Sequence, residues 1–164
     1  MYLKTLDLTK GLVDISDPGY DRQGHYQLLD VKVIPGHYSC DYKKNEITGW
    51  GNRVTECSIT LMGSYQRYPH WKRLGTVGVD AGHCGFFTSP KKEYEQKEWE
   101  ALVEEIYQSE SKGEVYSTTE AFFTSSGIGD GIYKVYVSLN FEGDIRAIKI
   151  DFAEEEDDEG EDEE

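Results

Sequence analysis

The chain has 164 residues, enough for one domain of ordinary size that buries a core without help from disulfides or metals. Hydrophobic residues make up 37% and aromatic residues 13%, too many for a wholly disordered chain, while no apolar run exceeds three residues, which excludes a membrane-spanning helix. The formal charge of −15 falls to −5 once residues 154–164 are set aside, because that segment holds ten acids and one glycine and the other 153 residues hold 22 acids against 17 bases.

Short runs rich in Val, Ile, Tyr, Phe and Thr alternate with Gly, Pro, Asn and Asp, the punctuation of packed antiparallel strands. Strands are predicted at 11–16, 26–34, 37–42, 53–62, 76–80, 84–88, 115–124, 132–139 and 145–152. The last two read as a hairpin. Tyr133, Val135, Val137 and Leu139 alternate with Lys134, Tyr136 and Ser138 before the turn at 140–144, and Ile148, Ile150 and Phe152 share one face of the return strand. Arg146 has the same parity but is expected at the turn end, where a polar group costs little. Between the sixth and seventh strands, Trp99, Leu102, Val103 and Ile106 fall at i, i+3, i+4 and i+7, the stripe of an amphipathic helix that should pack on a sheet. Ser89 is its expected N-cap and Pro90 its first residue. The fold class is therefore mainly β, an antiparallel sandwich or partly open barrel with one helix: a single domain over 1–153, followed by an acidic tail over 154–164 that is expected to be disordered.

The start Met1-Tyr2-Leu3-Lys4-Thr5 lacks the apolar stretch of a secretory signal, so a cytoplasmic protein is expected. Cys40, Cys57 and Cys84 are odd in number and far apart, which favours reduced thiols over a disulfide framework or a thiolate zinc site.

Two groups of residues carry possible chemistry. Asp17, Asp80 and Asp130, with Asp14 and Asp21, come from turns that a sandwich could gather at one end, and hard cations take several carboxylate oxygens. None has calcium-loop spacing, and Asp beside Pro or Gly commonly caps turns. The segment 65–73 (Tyr-Gln-Arg-Tyr-Pro-His-Trp-Lys-Arg) is of another kind: three bases and three aromatics in nine residues without an acid. Arg67, Tyr68, Trp71, Lys72 and Arg73 could stack bases and neutralise phosphates, anchor a protein partner, or simply form an exposed loop with Trp71 on the core. His83 and Cys84 are adjacent, so on a strand they point to opposite faces and make a poor base and nucleophile pair.

The segments Asp17-Pro18-Gly19-Tyr20, Val79-Asp80-Ala81-Gly82-His83-Cys84-Gly85-Phe86 and Gly129-Asp130-Gly131-Ile132-Tyr133, with Trp50-Gly51-Asn52-Arg53-Val54 between the first two, resemble a family of small bacterial and phage-associated proteins classed only as a domain of unknown function. Gly19 stands where a cysteine is common in that family, and His83 where glutamine is. The resemblance implies a compact, mostly β fold and a cytoplasmic setting, and it carries no activity.

The leading reading is a non-enzymatic cytosolic interaction protein that binds a macromolecular partner, a protein and one of basic character, with nucleic acid the other candidate at the basic aromatic segment. No cofactor and no membrane contact are expected. A metal-dependent hydrolase using Asp17, Asp80 and Asp130 is the alternative, and a phage-type acidic inhibitor of a nucleic-acid-binding host factor is the third.

Overall fold

A computed structural model describes residues 4–18, 26–80, 82–88, 96–108 and 114–153. Among the described residues eleven strands form two antiparallel sheets that face each other, and neither closes into a barrel. The six-stranded sheet has the order β1 (Lys4–Leu8), β4 (Gly36–Ile47), β5 (Gly51–Leu61), β11 (Ile145–Asp151), β10 (Gly131–Leu139), β6 (Lys72–Val79). The five-stranded sheet runs β3 (Leu28–Lys32), β2 (Leu12–Ser16), β7 (His83–Phe87), β9 (Ala121–Ser125), β8 (Val115–Ser117). The chain is thus the expected sandwich.

Alternation decides which face is buried. Leu6, Leu8, Tyr38, Cys40, Cys57, Ile59, Ile148, Ile150, Val135, Val137, Val77 and Val79 of the six-stranded sheet meet Val13, Ile15, Cys84, Phe86 and Phe122 of the other in one core. Tyr133 and Phe152 pack edge to face within it, their centroids 5.2 Å apart.

Several predicted elements change. Strand β1 was not anticipated, although Leu6 and Leu8 alternate with Thr5 and Asp7; it pairs along β4 from Lys4↔Cys40 to Leu8↔Gly36. The run expected as one strand over 115–124 is two, because Thr118 Oγ1 accepts the N–H groups of Glu120 and Ala121 and closes a turn between β8 and β9. Strand β4 extends five residues past its predicted end, through side chains that are all exposed up to Glu46 and so leave no hydrophobic signal.

Arg146 overturns its expected place. A β-bulge sets Ser138 opposite Ala147 and Leu139 opposite Ile145, leaving Arg146 unpaired and only 3% exposed. Its Nη1 donates to the Ser64 carbonyl at 2.7 Å and to Ser64 Oγ at 3.3 Å, so the guanidinium is held inside rather than at a wet turn end. Burial lowers its pKa.

The helix α1 is present at Gln96–Tyr107. The side chains of Trp99, Leu102, Val103 and Ile106, the Ser89-Pro90 start, and residues 154–164 lie outside the described residues. Tyr116 Oη on β8 donates to Glu105 Oε2 of α1 at 3.3 Å. No described helix is long and apolar enough to cross a membrane.

Candidate functional site

Lys72 and Arg73 do not lie on a loop. They begin β6, whose register sets Lys72 opposite Val137 and Arg73 opposite Tyr136, so the basic stretch forms the edge of the six-stranded sheet. Positive charge suits an edge strand, where it opposes pairing with another chain. Trp71, just ahead of β6, is half-buried over the outer face, where Lys149 Nζ lies 4.4 Å from its ring centroid and 5.8 Å from that of Tyr136. The same ammonium is 3.9 Å from Glu56 Oε1, and Lys43 Nζ is 3.6 Å from Glu56 Oε2. A lysine in the middle of a sheet is thereby flanked by two aromatic rings and a carboxylate, each contributing about 1 kcal/mol or less at this exposure.

This cluster forms the floor of an open groove of about 840 Å³. Lys43, Glu56, Lys149 and Asp151 line it from the sheet, Trp71 and Tyr136 from the β6 side, and 45–48 of the β4–β5 hairpin from above; Ala153, next to the tail, completes the wall. The hairpin is fixed at its base, with Asn45 Nδ2 donating to Thr55 Oγ1 at 2.7 Å and Lys44 Nζ 2.8 Å from Glu114 Oε2.

The rest of the basic aromatic segment runs to the turn of the final hairpin. Gln66 Nε2 donates to the Leu139 carbonyl at 3.4 Å, and Arg146 holds Ser64. Tyr65 and Tyr68 are 85% and 81% exposed, Arg67 stacks over Tyr68 at 5.5 Å, and Phe141 in the nearby turn is 107% exposed. Of the five residues predicted to bind, Trp71 lines the groove and Arg73 lies beside it in the row of Tyr136, Arg67 and Tyr68 stand on the exposed connection leading to it, and Lys72, opposite the core residue Val137, falls on the other face of the sheet. Tyr136, Lys149 and Glu56 were missed because they read as ordinary alternation; only strand register shows that they converge.

The three aspartates of the cation reading do reach one end of the sandwich. Gly131 pairs with Val79, which brings Asp130 beside Asp80, and Asp17 follows β2. The outcome is a tie between sheets: Asp17, 0% exposed, accepts the backbone N–H of Asp80 through Oδ2 at 2.7 Å. Asp80 and Asp130 are exposed, and among the described residues no group of three or more His, Cys, Asp and Glu side chains is placed to hold a metal ion. Asp14 has a similar duty, its Oδ1 accepting the N–H of Asp30, a residue held at φ 56°.

The glycine-rich motifs are packing devices. A side chain on Gly85 would strike the Phe122 carbonyl oxygen and Phe123 Cα of β9. Gly127, at φ 67°, lies against the Val54 carbonyl and Phe152, and the next turn is closed by Ser126 Oγ and Tyr133 Oη, which donate to the Gly129 carbonyl at 2.8 and 2.6 Å. Cys84 is buried on β7 while its neighbour His83 is half-buried, and burial pushes the Cys40 thiol up to about 12 and the Cys57 thiol well above its ordinary value. Such thiols are poor nucleophiles. No family model matches the chain, and no curated protein or solved structure matches it either.

Proposed function

We propose that the chain is a non-enzymatic interaction protein whose docking face is the outer surface of the six-stranded sheet, and that its partner is a protein. The observation that carries this reading is the aromatic groove of Trp71 and Tyr136 around Lys149, continued by the exposed Tyr65 and Tyr68. Tyrosine, tryptophan and arginine dominate protein interfaces because they bring large contact area and a polar tip at low entropic cost. Lys43 and Lys149 stand among Glu46, Glu56 and Asp151 on the groove wall, and that mixture suits a mixed-charge protein surface better than a polyanion.

A photo-crosslinking amino acid placed at position 68 of the full chain tests the reading in cells of origin. A discrete protein adduct is expected, lost with Trp71→Ala in a protein that keeps its β circular dichroism. Adducts destroyed by nuclease would assign the face to nucleic acid. Equal adducts from position 68 and from Lys10 on the opposite edge would remove the face from consideration.

A further inference from the structure

We infer that the Arg146 guanidinium and the Ser138 hydroxyl form a buried receptor for one free small oxyanion, phosphate, sulfate or a simple carboxylate, beneath the connection 62–71 that joins β5 to β6. The site itself is independent of the proposed function; its effect on the docking face rests on that reading.

The first ground is a charge without a counter-ion. Arg146 is 3% exposed, and its Nη1 is taken by the Ser64 carbonyl and Oγ. Its Nε is buried, and among the described residues neither Nε nor Nη2 donates to any acceptor and no carboxylate forms an ion pair with the guanidinium. Asp144, the nearest acid along the chain, is exposed on the hairpin turn, where its backbone N–H donates to Asn140 Oδ1. A guanidinium keeps its charge at neutral pH, so a full positive charge is held out of water against two neutral oxygens of Ser64. Nε and Nη2 make up the side-on edge of the fork, whose parallel N–H bonds match two oxygens of one carboxylate or phosphate group.

The second ground is another buried donor beside it. Ser138 is 0% exposed and its Oγ has no partner among the described residues. The β-bulge brings the two together, since Ser138 is paired with Ala147, Leu139 with Ile145, and Arg146 is the extra residue between. Ser138 has the parity of Lys134 and Tyr136, opposite to that of the core residues Tyr133, Val135 and Val137, so it belongs to the outer face. Over that face the connection is pinned on both sides of the bulge, Gln66 Nε2 donating to the Leu139 carbonyl and Ser64 accepting from Arg146. Two buried donors without acceptors at one bulge are costly unless something accepts from them.

Burial fixes the size of the ligand. A guanidinium this enclosed is out of reach of a group carried on a macromolecule, whereas a free ion enters when the connection lifts. The opening is local, because Tyr65 and Tyr68 are 85% and 81% exposed and few contacts break. Once bound, the ion neutralises Arg146, which still holds Ser64 through Nη1, so occupancy favours the closed connection. Tyr65, Arg67 and Tyr68 are then presented in one arrangement, and a partner of the docking face meets a surface already ordered.

The Nε–Hε resonance of Arg146 in the full-length protein, assigned by its loss in Arg146→Lys, reads occupancy directly. Titration with phosphate, sulfate or acetate, against chloride at equal ionic strength, should move it to a saturating position at millimolar concentrations. Response to phosphate and sulfate alone identifies a tetrahedral ion, response to acetate alone a carboxylate, and either supports the site. Ser138→Ala should weaken the affinity several-fold. Arg146→Met, in a protein that keeps its β circular dichroism, should abolish the rise in melting temperature that the ion gives the native chain. At about ten times the dissociation constant, exchange of the Tyr65 and Gln66 amides should slow about tenfold, because the ion binds only the closed form. A resonance that none of the three ions moves beyond the chloride reference, or a melting shift that Arg146→Met keeps in full, overturns the site. Position 68 keeps the two readings apart: a protein adduct that persists in a chain indifferent to all three ions leaves the docking face standing without an anion, whereas a saturating shift with no adduct leaves the anion site alone.

Discussion

Asp17 Oδ2 and the backbone N–H of Asp80 are joined at 2.7 Å, a bond between residues 63 apart that ties the end of β2 in one sheet to the end of β6 in the other. Asp17 supplies a side chain and Asp80 only its backbone. Asp17→Ala is therefore expected to destabilise the fold by about 1–3 kcal/mol in urea titration, as loss of a buried charged acceptor does, while Asp80→Ala changes stability by less than about 0.5 kcal/mol. Equal losses at both positions would show that the Asp80 carboxylate has a role of its own. Millimolar magnesium, calcium or manganese gives the corresponding check of the cation reading, since a bound metal would raise the melting temperature and Asp80→Asn would cancel the rise.

Gly85→Ala should be among the most damaging small substitutions in the chain. The added methyl meets backbone of β9, which cannot give way as a side chain can, so a loss of about 3 kcal/mol or more is expected, with much of the protein insoluble on expression. Gly49→Ala is the control. Unlike Gly85 it has a positive φ, 86°, in the β4–β5 turn, but open space surrounds it, and the substitution should cost only about 1 kcal/mol from the backbone strain.

Alkaline stability follows from the thiols. In the unfolded chain Cys40 loses its proton near 9.0, whereas in the fold it keeps it to about 12. Above pH 9 the unfolded state therefore binds fewer protons, and stability falls as pH rises through this window by up to about 1.4 kcal/mol per pH unit for each such group. Cys57 and Tyr38, also raised by burial, act in the same direction. Chemical denaturation at pH 8, 9.5 and 11 should show this fall, and Cys40→Ala should make it shallower. Ellman's reagent should find no reactive thiol in the native protein at pH 8 and three on unfolding, matching the three buried cysteines.

Arg146 offers a separable test of the connection before β6. Its Nε, like Ser138 Oγ, is buried with no hydrogen-bond partner among the described residues, so the guanidinium is incompletely satisfied. Replacing a buried charge by an apolar side chain of similar length is often neutral or stabilising. Arg146→Met should thus leave the midpoint of unfolding unchanged or raised, while freeing Ser64. Trypsin cleavage after Arg67 should become several-fold faster in the native state because local opening no longer breaks that bond.

The sheets were legible in the sequence where one face was buried and the other wet: Tyr133, Val135 and Val137 announced β10, and Ile148 and Ile150 announced β11. Where both faces are solvated, as from Asp41 to Glu46, the period vanishes and only pairing with β5 defines the strand. Arg146 was misread because a bulge breaks parity and leaves no mark in composition. The site was half legible. The clustering of Arg67, Tyr68, Trp71, Lys72 and Arg73 is visible by proximity in the chain, but Lys149 and Glu56 join Trp71 through strand neighbours distant in sequence, which periodicity cannot report.

The order of the six-stranded sheet has a further effect on how the molecule is made. Strand β11, the last described strand in the chain, lies in the middle of the sheet between β5 and β10. Until residues 145–151 have left the ribosome, β5 has no partner on one side and β10 can pair only with β6, so two open edges wait for one filler. Assembly of this sheet is then late and abrupt during synthesis, with its long-range pairings formed together rather than strand by strand. A nascent chain halted before Ile145 would hold the β1–β4–β5 ribbon and the β6–β10 pair without the strand that joins them, and should be a target for chaperones rather than a smaller version of the fold.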